Sequence, residues 1–244
     1  MSAYGSFSAV YDLLMSDFDY ANAAEYLVSL ARKHGSTLSK PLDLACGSGR
    51  LAAELTNLGY DPVCVDGSPE ILSLAKARLP KETLILCQDM AELDLNDTVD
   101  TCFCTMDSIN YITTKSALKA AFKRLAIFTE KDGLFIFDTD SEFKFSSALA
   151  NNIYTYDLDN LYLVWHTEYS KRSHKSTYEL TWFCKEGNNW FRYDDNQEQR
   201  FWSHAELIEL LDQVGFEFVA AYDAYTEAPP SKTSDRIHYV FRRK

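Results

Sequence analysis

No stretch of the chain holds the roughly 18 consecutive apolar residues that a membrane-spanning helix needs, so none is expected to cross a bilayer. A basic leader is also missing. Met1 to Tyr20 carries Asp12, Asp17 and Asp19 and no cationic start, so no secretory signal is expected and a cytoplasmic location is. Basic residues are outnumbered, 24 Lys and Arg against 36 Asp and Glu, for a net charge of −12. That balance argues against nucleic acid as a partner, which needs a broad basic face. The one dense basic group, Lys171-Arg172-Ser173-His174-Lys175, reads as an exposed hairpin turn. No His, Cys and Asp cluster has metal-ligand spacing, so no metal is expected. Six cysteines lie mostly in apolar runs and read as reduced, buried thiols. Cys102-x-Cys104 puts both sulfurs on one strand face with no partner ligands nearby, which favours core packing. Internal repeats and low-complexity tracts are absent.

What is present is a core. The chain has 244 residues, 46% of them hydrophobic, enough for one large domain or one domain with a sizeable insertion. From residue 41, short apolar runs alternate with helical patterns, the signature of βαβ units on a parallel sheet. Strands are expected at 41–46, 62–66, 83–88, 99–105 and 134–137, the last opened by an Asp132-Gly133 turn. Ser68, Pro69 and Glu70 mark a helix start. Lys115 to Phe128 has the helical apolar face Leu118, Phe122, Leu125 and Ala126. Tyr20 to His34 reads as an amphipathic helix. Between about Phe143 and Trp202 the period becomes two, with Leu161, Leu163 and Trp165 alternating with Tyr162, Val164 and His166, which predicts antiparallel hairpins turning at Gly187 to Asn189. Ser203 and Glu206 form a capping box for a helix ending at Gly215, and strands follow at 216–222 and 237–242. The fold class expected is α/β, a doubly wound, mostly parallel seven-stranded sheet with an antiparallel β insert. In that division 1–142 and 203–244 form the main domain, 1–37 a helical lid on it, and 143–202 the insert.

The chemistry gathers at the strand ends. Leu42-Asp43-Leu44-Ala45-Cys46-Gly47-Ser48-Gly49-Arg50 sits where the first strand turns into a helix. Its glycines let the backbone approach a ligand, and the helix start offers free N–H groups. Gly47-x-Gly49-x-x-Ala52 also satisfies the dinucleotide-binding pattern, so an NAD-dependent oxidoreductase stays open. Asp43 puts a carboxylate inside a buried strand, which costs free energy unless it is hydrogen-bonded. Asp66 ends the second strand about 20 residues on, where a carboxylate can take two ribose hydroxyls. Gln88-Asp89-Met90 ends the third, where an adenine amino group could be received. Three such strand ends on one sheet edge suit an adenosine-type ligand.

At these residues the chain resembles the class I methyltransferases that use S-adenosylmethionine (SAM). Asp43-x-Ala45-x-Gly47-x-Gly49 is similar to their first motif, and the resemblance spans residues 38–142. It implies a SAM cofactor held by Tyr11, Asp43, Ala45, Gly47, Gly49, Arg50, Asp66, Gly67, Asp89, Met90 and Met106. Asp66 would face the ribose, Asp89 and Met90 the adenine, and the glycine loop the methionine part. Thr105 to Tyr111 would line the transfer site, with Asp107, Asn110 and Tyr111 orienting the substrate. A narrower resemblance covers the whole chain. Phe7-Ser8-Ala9-Val10-Tyr11-Asp12-Leu13-Leu14-Met15 and Gln199-Arg200-Phe201-Trp202 resemble small bacterial methyltransferases of unassigned substrate, whose N-terminal segment folds over the cofactor. Tyr11 would then close the pocket. Where that group commonly has a histidine, this chain has Gln197.

Methyl transfer from a sulfonium needs mainly alignment of a nucleophile and exclusion of water, so the lack of a catalytic triad excludes nothing. His166 and Arg200 are the acceptor-side candidates, and Tyr4 is a further residue that could cap the cofactor. The activity expected is methylation of an N or O atom of a small-molecule acceptor. RNA methylation, a non-catalytic SAM-binding regulator and the oxidoreductase are the alternatives. The insert is the expected substrate lid.

Overall fold

The computed structural model describes residues 7–244. Two sheets organise it. The larger has seven strands in the order β10-β11-β5-β4-β1-β2-β3. These are β1 (Pro41–Leu44), β2 (Val63–Asp66), β3 (Ile85–Cys87), β4 (Val99–Cys104), β5 (Thr129–Asp140), β10 (Phe216–Asp223) and β11 (Arg236–Arg243). β1 to β5 pair parallel, and β11 runs antiparallel between β5 and β10. Strand order reverses between β1 and β4. That is the switch point at which open α/β sheets receive ligands.

Helices cover both faces. α5 (Lys115–Phe128) and α6 (His204–Asp212) pack Leu118, Phe122, Leu125, Leu207 and Leu211 against Phe135, Phe137 and Phe241. On the other face, α2 (Tyr20–Lys33) and α3 (Arg50–Asn57) pack Leu27, Leu30, Leu51 and Leu55 against Phe103, Ile136 and Val240. α4 (Pro69–Arg78) starts as its sequence predicts, with Ser68 Oγ accepting from Ile71 N and Pro69 at the first position. The capping box of Ser203 and Glu206 is formed on α6. Cys102 and Cys104 are free thiols in the core.

The second sheet is antiparallel, β6 (Asn152–Leu158), β7 (Leu161–Ser170), β8 (Lys175–Glu186) and β9 (Asn189–Arg200). Its inner face, Leu161, Leu163, Leu180, Trp182 and Cys184, packs on Val10, Leu13 and Leu14 of α1 (Phe7–Leu14). α1 is thereby held on the second sheet, and it also contacts α4. Lys171 and Arg172 lie exposed in the β7–β8 turn, and Lys175 pairs with Glu198 at 2.6 Å.

One element differs from the sequence expectation. β5 does not begin at Leu134 after a turn; pairing with β4 starts at Thr129 and resumes at Leu134. Asp132 takes a positive φ of 64° inside the strand, so Asp132-Gly133 makes a bulge rather than an end. No described helix is long and apolar enough to cross a membrane.

Candidate functional site

The C-terminal ends of β1, β2, β3 and β4 open onto a cavity of about 450 Å³. Asp43, Ala45, Gly47, Arg50, Asp66, Gly67, Asp89, Met90 and Met106 all line it, and Tyr11 reaches it from α1. The loop after β1 makes this possible. Ala45 and Gly47 both take left-handed backbone, φ 60° and 55°, which folds the chain back so that Gly47 N donates to Asp66 Oδ2 at 2.9 Å. Ser68 N donates to the other oxygen of Asp66, also at 2.9 Å. A carboxylate has about four acceptor sites, so both oxygens keep capacity toward the cavity.

Asp43 is 2% exposed, and its Oδ2 has no hydrogen-bond partner among the described residues. Burial, with the nearby charge of Asp66, pushes its carboxyl up to about 7, a backbone hydrogen bond from Ala52 partly opposing them. The cavity therefore contains a buried acceptor that needs a donor. Asp89 caps the short turn Met90–Glu92 through Ala91 N at 2.7 Å, which fixes Met90 at the rim.

Two expected cofactor contacts do something else. Gly49 does not line the cavity. It caps α3 with φ 73°, and a Cβ there would lie 3.0 Å from Leu79 Cδ1 and 3.1 Å from Ala75 Cβ, so its role is close packing on α4. Arg50 lines the cavity, but its guanidinium is committed to Asp12, with Nε 2.8 Å from Oδ1 and Nη2 3.0 Å from the backbone oxygen. Ser48 Oγ (2.5 Å) and Arg78 Nη2 (2.9 Å) donate to the same carboxylate. Burial alone would raise the Asp12 pKa; the hydrogen bonds from Arg50, Ser48 and Arg78 hold it at about 2. Asp12 thus clasps α1 over the glycine loop. Its signal in the sequence was its place beside Tyr11 in the N-terminal motif.

A second cavity of about 210 Å³ lies between α1, the second sheet and the ends of β5 and β11. Tyr11, Met106, Tyr111 and Gln197 line both cavities and form the partition between them. Tyr111 Oη donates to Gln197 Oε1 at 3.1 Å, and Gln197 Nε2 donates to Asp195 at 3.0 Å. Burial, followed by the Asp107 charge, raises the pKa of both Tyr11 and Tyr111, so both phenols keep their protons. Gln197 supplies no base at the partition.

The second cavity also has an ionic floor that the sequence did not disclose. Arg236 on β11 reaches Asp138 at 2.5 Å, Asp107 at 2.6 Å and Asp140 at 3.2 Å. Lys144 pairs with Asp140 at 2.7 Å, and Gln199 Nε2 donates to Asp107 Oδ2 at 2.7 Å. Asp138 accepts from the backbone N–H groups of Met106 (2.9 Å) and Asp107 (2.7 Å), which holds both in left-handed backbone. Burial works against the Asp138 charge, but Arg236 and these donors keep its pKa low. Two acids, Asp138 and Asp140, at the end of an apolar strand were the available signal.

Three expected acceptor-side residues are elsewhere. His166 lines neither cavity; strand alternation turns it to the outer face, where Nδ1 sits 3.1 Å from Glu179. Its neighbour Trp165 faces the second cavity instead. Arg200 also lines neither. Its guanidinium pairs with Glu206 at 3.0 Å and stacks 3.9 Å over Trp202. Asn110 is fully buried and holds two backbones together, donating to Arg200 O at 2.8 Å and accepting from Asp140 N at 2.9 Å. Of that group, only Asp107 and Tyr111 border a cavity. Tyr4 lies outside the described residues.

The chain is similar to known proteins in sequence and fold. A family model described as a methyltransferase domain matches residues 42–133. A Bacillus subtilis (strain 168) protein, provisionally named as the methyltransferase YqeM, is 27% identical over 239 residues, covering 97% of this chain and 95% of its own. The Streptomyces fradiae dTDP-3-amino-3,6-dideoxy-alpha-D-glucopyranose N,N-dimethyltransferase is 27% identical over 134 residues, 54% of this chain and 52% of its own. Among solved structures, a SAM-dependent methyltransferase from Clostridium acetobutylicum superposes with a TM-score of 0.87 at 28% identity, covering 99% of both chains. With a cavity at the switch point of a seven-stranded sheet, and methyltransferase relatives along its whole length, the chain is a class I SAM-dependent methyltransferase.

Proposed function

We propose that the larger cavity holds SAM, that the smaller one holds a small-molecule acceptor presenting a nitrogen or oxygen, and that the second sheet is the acceptor's lid. The observation that carries this is the shared partition. Tyr11, Met106, Tyr111 and Gln197 border both spaces, so donor and acceptor can meet there without solvent between them. The residues fit the cofactor. The buried Oδ2 of Asp43 asks for a donor, which an ammonium group supplies. Asp66 keeps acceptor sites for two ribose hydroxyls, and Asp89 and Met90 border the adenine end. Ala45, Gly47 and Gly67 leave room for the ligand at the strand ends. When bound, SAM supplies an electrophilic methyl with a neutral leaving group.

The chain's own residues align and exclude. Tyr11 covers the partition from α1, which Asp12 clasps to Arg50 and Arg78. Asp107 and Tyr111 orient the acceptor against the partition. The sugar N-methyltransferase among the relatives supports a small acceptor, as does the scarcity of basic residues. The free thiols fit a cytoplasmic enzyme. Calorimetry tests the cofactor assignment. SAM should bind and NADH should not, and Asp66→Ala should weaken SAM by about 1.5–3 kcal/mol, the range for hydrogen bonds to a charged group. Binding of NADH in place of SAM, or undiminished affinity in the folded variant, refutes it.

A further inference from the structure

The lining of the second cavity carries more charge information than methyl transfer alone requires. Asp107 and Asp140 line it, with Asp138 directly behind, and only Arg236 and Lys144 oppose them. Three carboxylates against two cations leave one negative charge in excess beside a largely apolar space. Both cations are already held by carboxylates, at 2.5–3.2 Å, so neither is left to receive an anion. Asp140 is 2% exposed, and its Oδ1, although 3.2 Å from Arg236, is buried without an aligned hydrogen bond.

The same cavity is lined by the aromatic side chains of Tyr156, Trp165 and Tyr178, with Tyr11 and Tyr111 at the partition. Aromatic faces together with a surplus carboxylate recognise a cation. A second, independent feature is the indole of Trp165, whose Nε1 is buried with no acceptor among the described residues. A ligand oxygen would satisfy it.

Resting on the placement of the acceptor in this cavity, we propose that the acceptor is an aliphatic amine without a phosphate group, bound as its ammonium ion, with Asp140 taking the proton that frees the nitrogen. The N–H bond of the ammonium breaks, the proton goes to a carboxylate oxygen of Asp140, and the electron pair stays on nitrogen. That pair forms the N–C bond to the methyl while the C–S bond of the donor breaks, its electrons leaving with sulfur. One positive charge moves from sulfur to nitrogen, toward the carboxylate side. An alcohol acceptor would place no charge there. A nucleotide-linked acceptor would instead bring phosphates to a cavity whose cations are both engaged.

The test fractionates a small-molecule extract of the source cells by cation and anion exchange. Each fraction is incubated with the full chain, first without SAM to read thermal stabilisation, then with methyl-labelled SAM. The expected result is stabilisation and label confined to the cation-retained fraction and unaffected by phosphatase. Asp140→Asn should lower transfer at least 100-fold, the lower end for general acid–base catalysis, while SAM still binds. Label confined to the neutral or anion-retained fractions overturns the amine while leaving the proposed methyl transfer intact. Label in no fraction overturns both. Full transfer by Asp140→Asn removes Asp140 from the role, and if that variant does not fold, the fraction experiment still decides the acceptor class.

Discussion

Asp43→Asn isolates the buried carboxyl that lines the larger cavity. In the folded protein this group titrates at about 7 rather than at its ordinary 3.8, because burial and then Asp66 disfavour its charge. Below 3.8 the group is protonated in both the folded and unfolded chains and stability is unaffected. Between 3.8 and 7 the unfolded chain has lost the proton and the folded one keeps it, so stability falls as pH rises. Above 7 the loss is complete. At 1.36 kcal/mol per pH unit the whole loss has a ceiling of about 4 kcal/mol, and the part falling between pH 5 and 7 is about 2–3 kcal/mol. Asparagine fills the same space and does not titrate. Urea unfolding of both proteins without SAM, at half-unit steps from pH 5 to 8, cancels the other acids in the difference. The stability of Asp43→Asn minus wild type should therefore rise by about 2–3 kcal/mol from pH 5 to 7 and then level off. Saturating SAM, bringing a cation to the carboxylate, should flatten the wild-type decline. A difference that stays within 0.5 kcal/mol across the range refutes the account of Asp43 as a carboxyl held unpaired for a ligand.

Gly49→Ala forces a side chain onto left-handed backbone and against Leu79 and Ala75; the expected cost is about 1–3 kcal/mol in urea unfolding, and an unchanged midpoint would refute the packing role. Arg236→Met leaves the buried Asp138 and the half-buried Asp107 without their cation. A loss of about 3–5 kcal/mol is expected, read as a lowered thermal midpoint, and wild-type stability would refute the ionic floor.

Several features were written locally and were legible before folding. Ser68 and Pro69 start α4, Ser203 and Glu206 start α6, and the helix over Lys115–Phe128 follows from its own apolar stripe. The acids and glycines at the ends of β1 to β3 were legible too, since a βαβ chain brings successive strand ends to one edge whatever its loops do. The Asp132-Gly133 bulge was not, because a turn dipeptide cannot reveal that strand pairing continues on both sides of it. Trp165 and His166 show the same limit. Period two assigns them to opposite faces, but only the packing of the second sheet on Val10, Leu13 and Leu14 of α1 decides which face is inside. Asp12 with Arg50 and Arg78, and Arg236 with Asp107 and Asp138, join residues 38 to 129 positions apart. The sequence by itself determined the acid- and glycine-bearing strand edge that lines the larger cavity, where chemistry sits at element ends fixed by short-range rules. Tertiary structure alone decided the second cavity, because its charges come from the loop after β4, the end of β5 and the start of β11, and no local pattern links them.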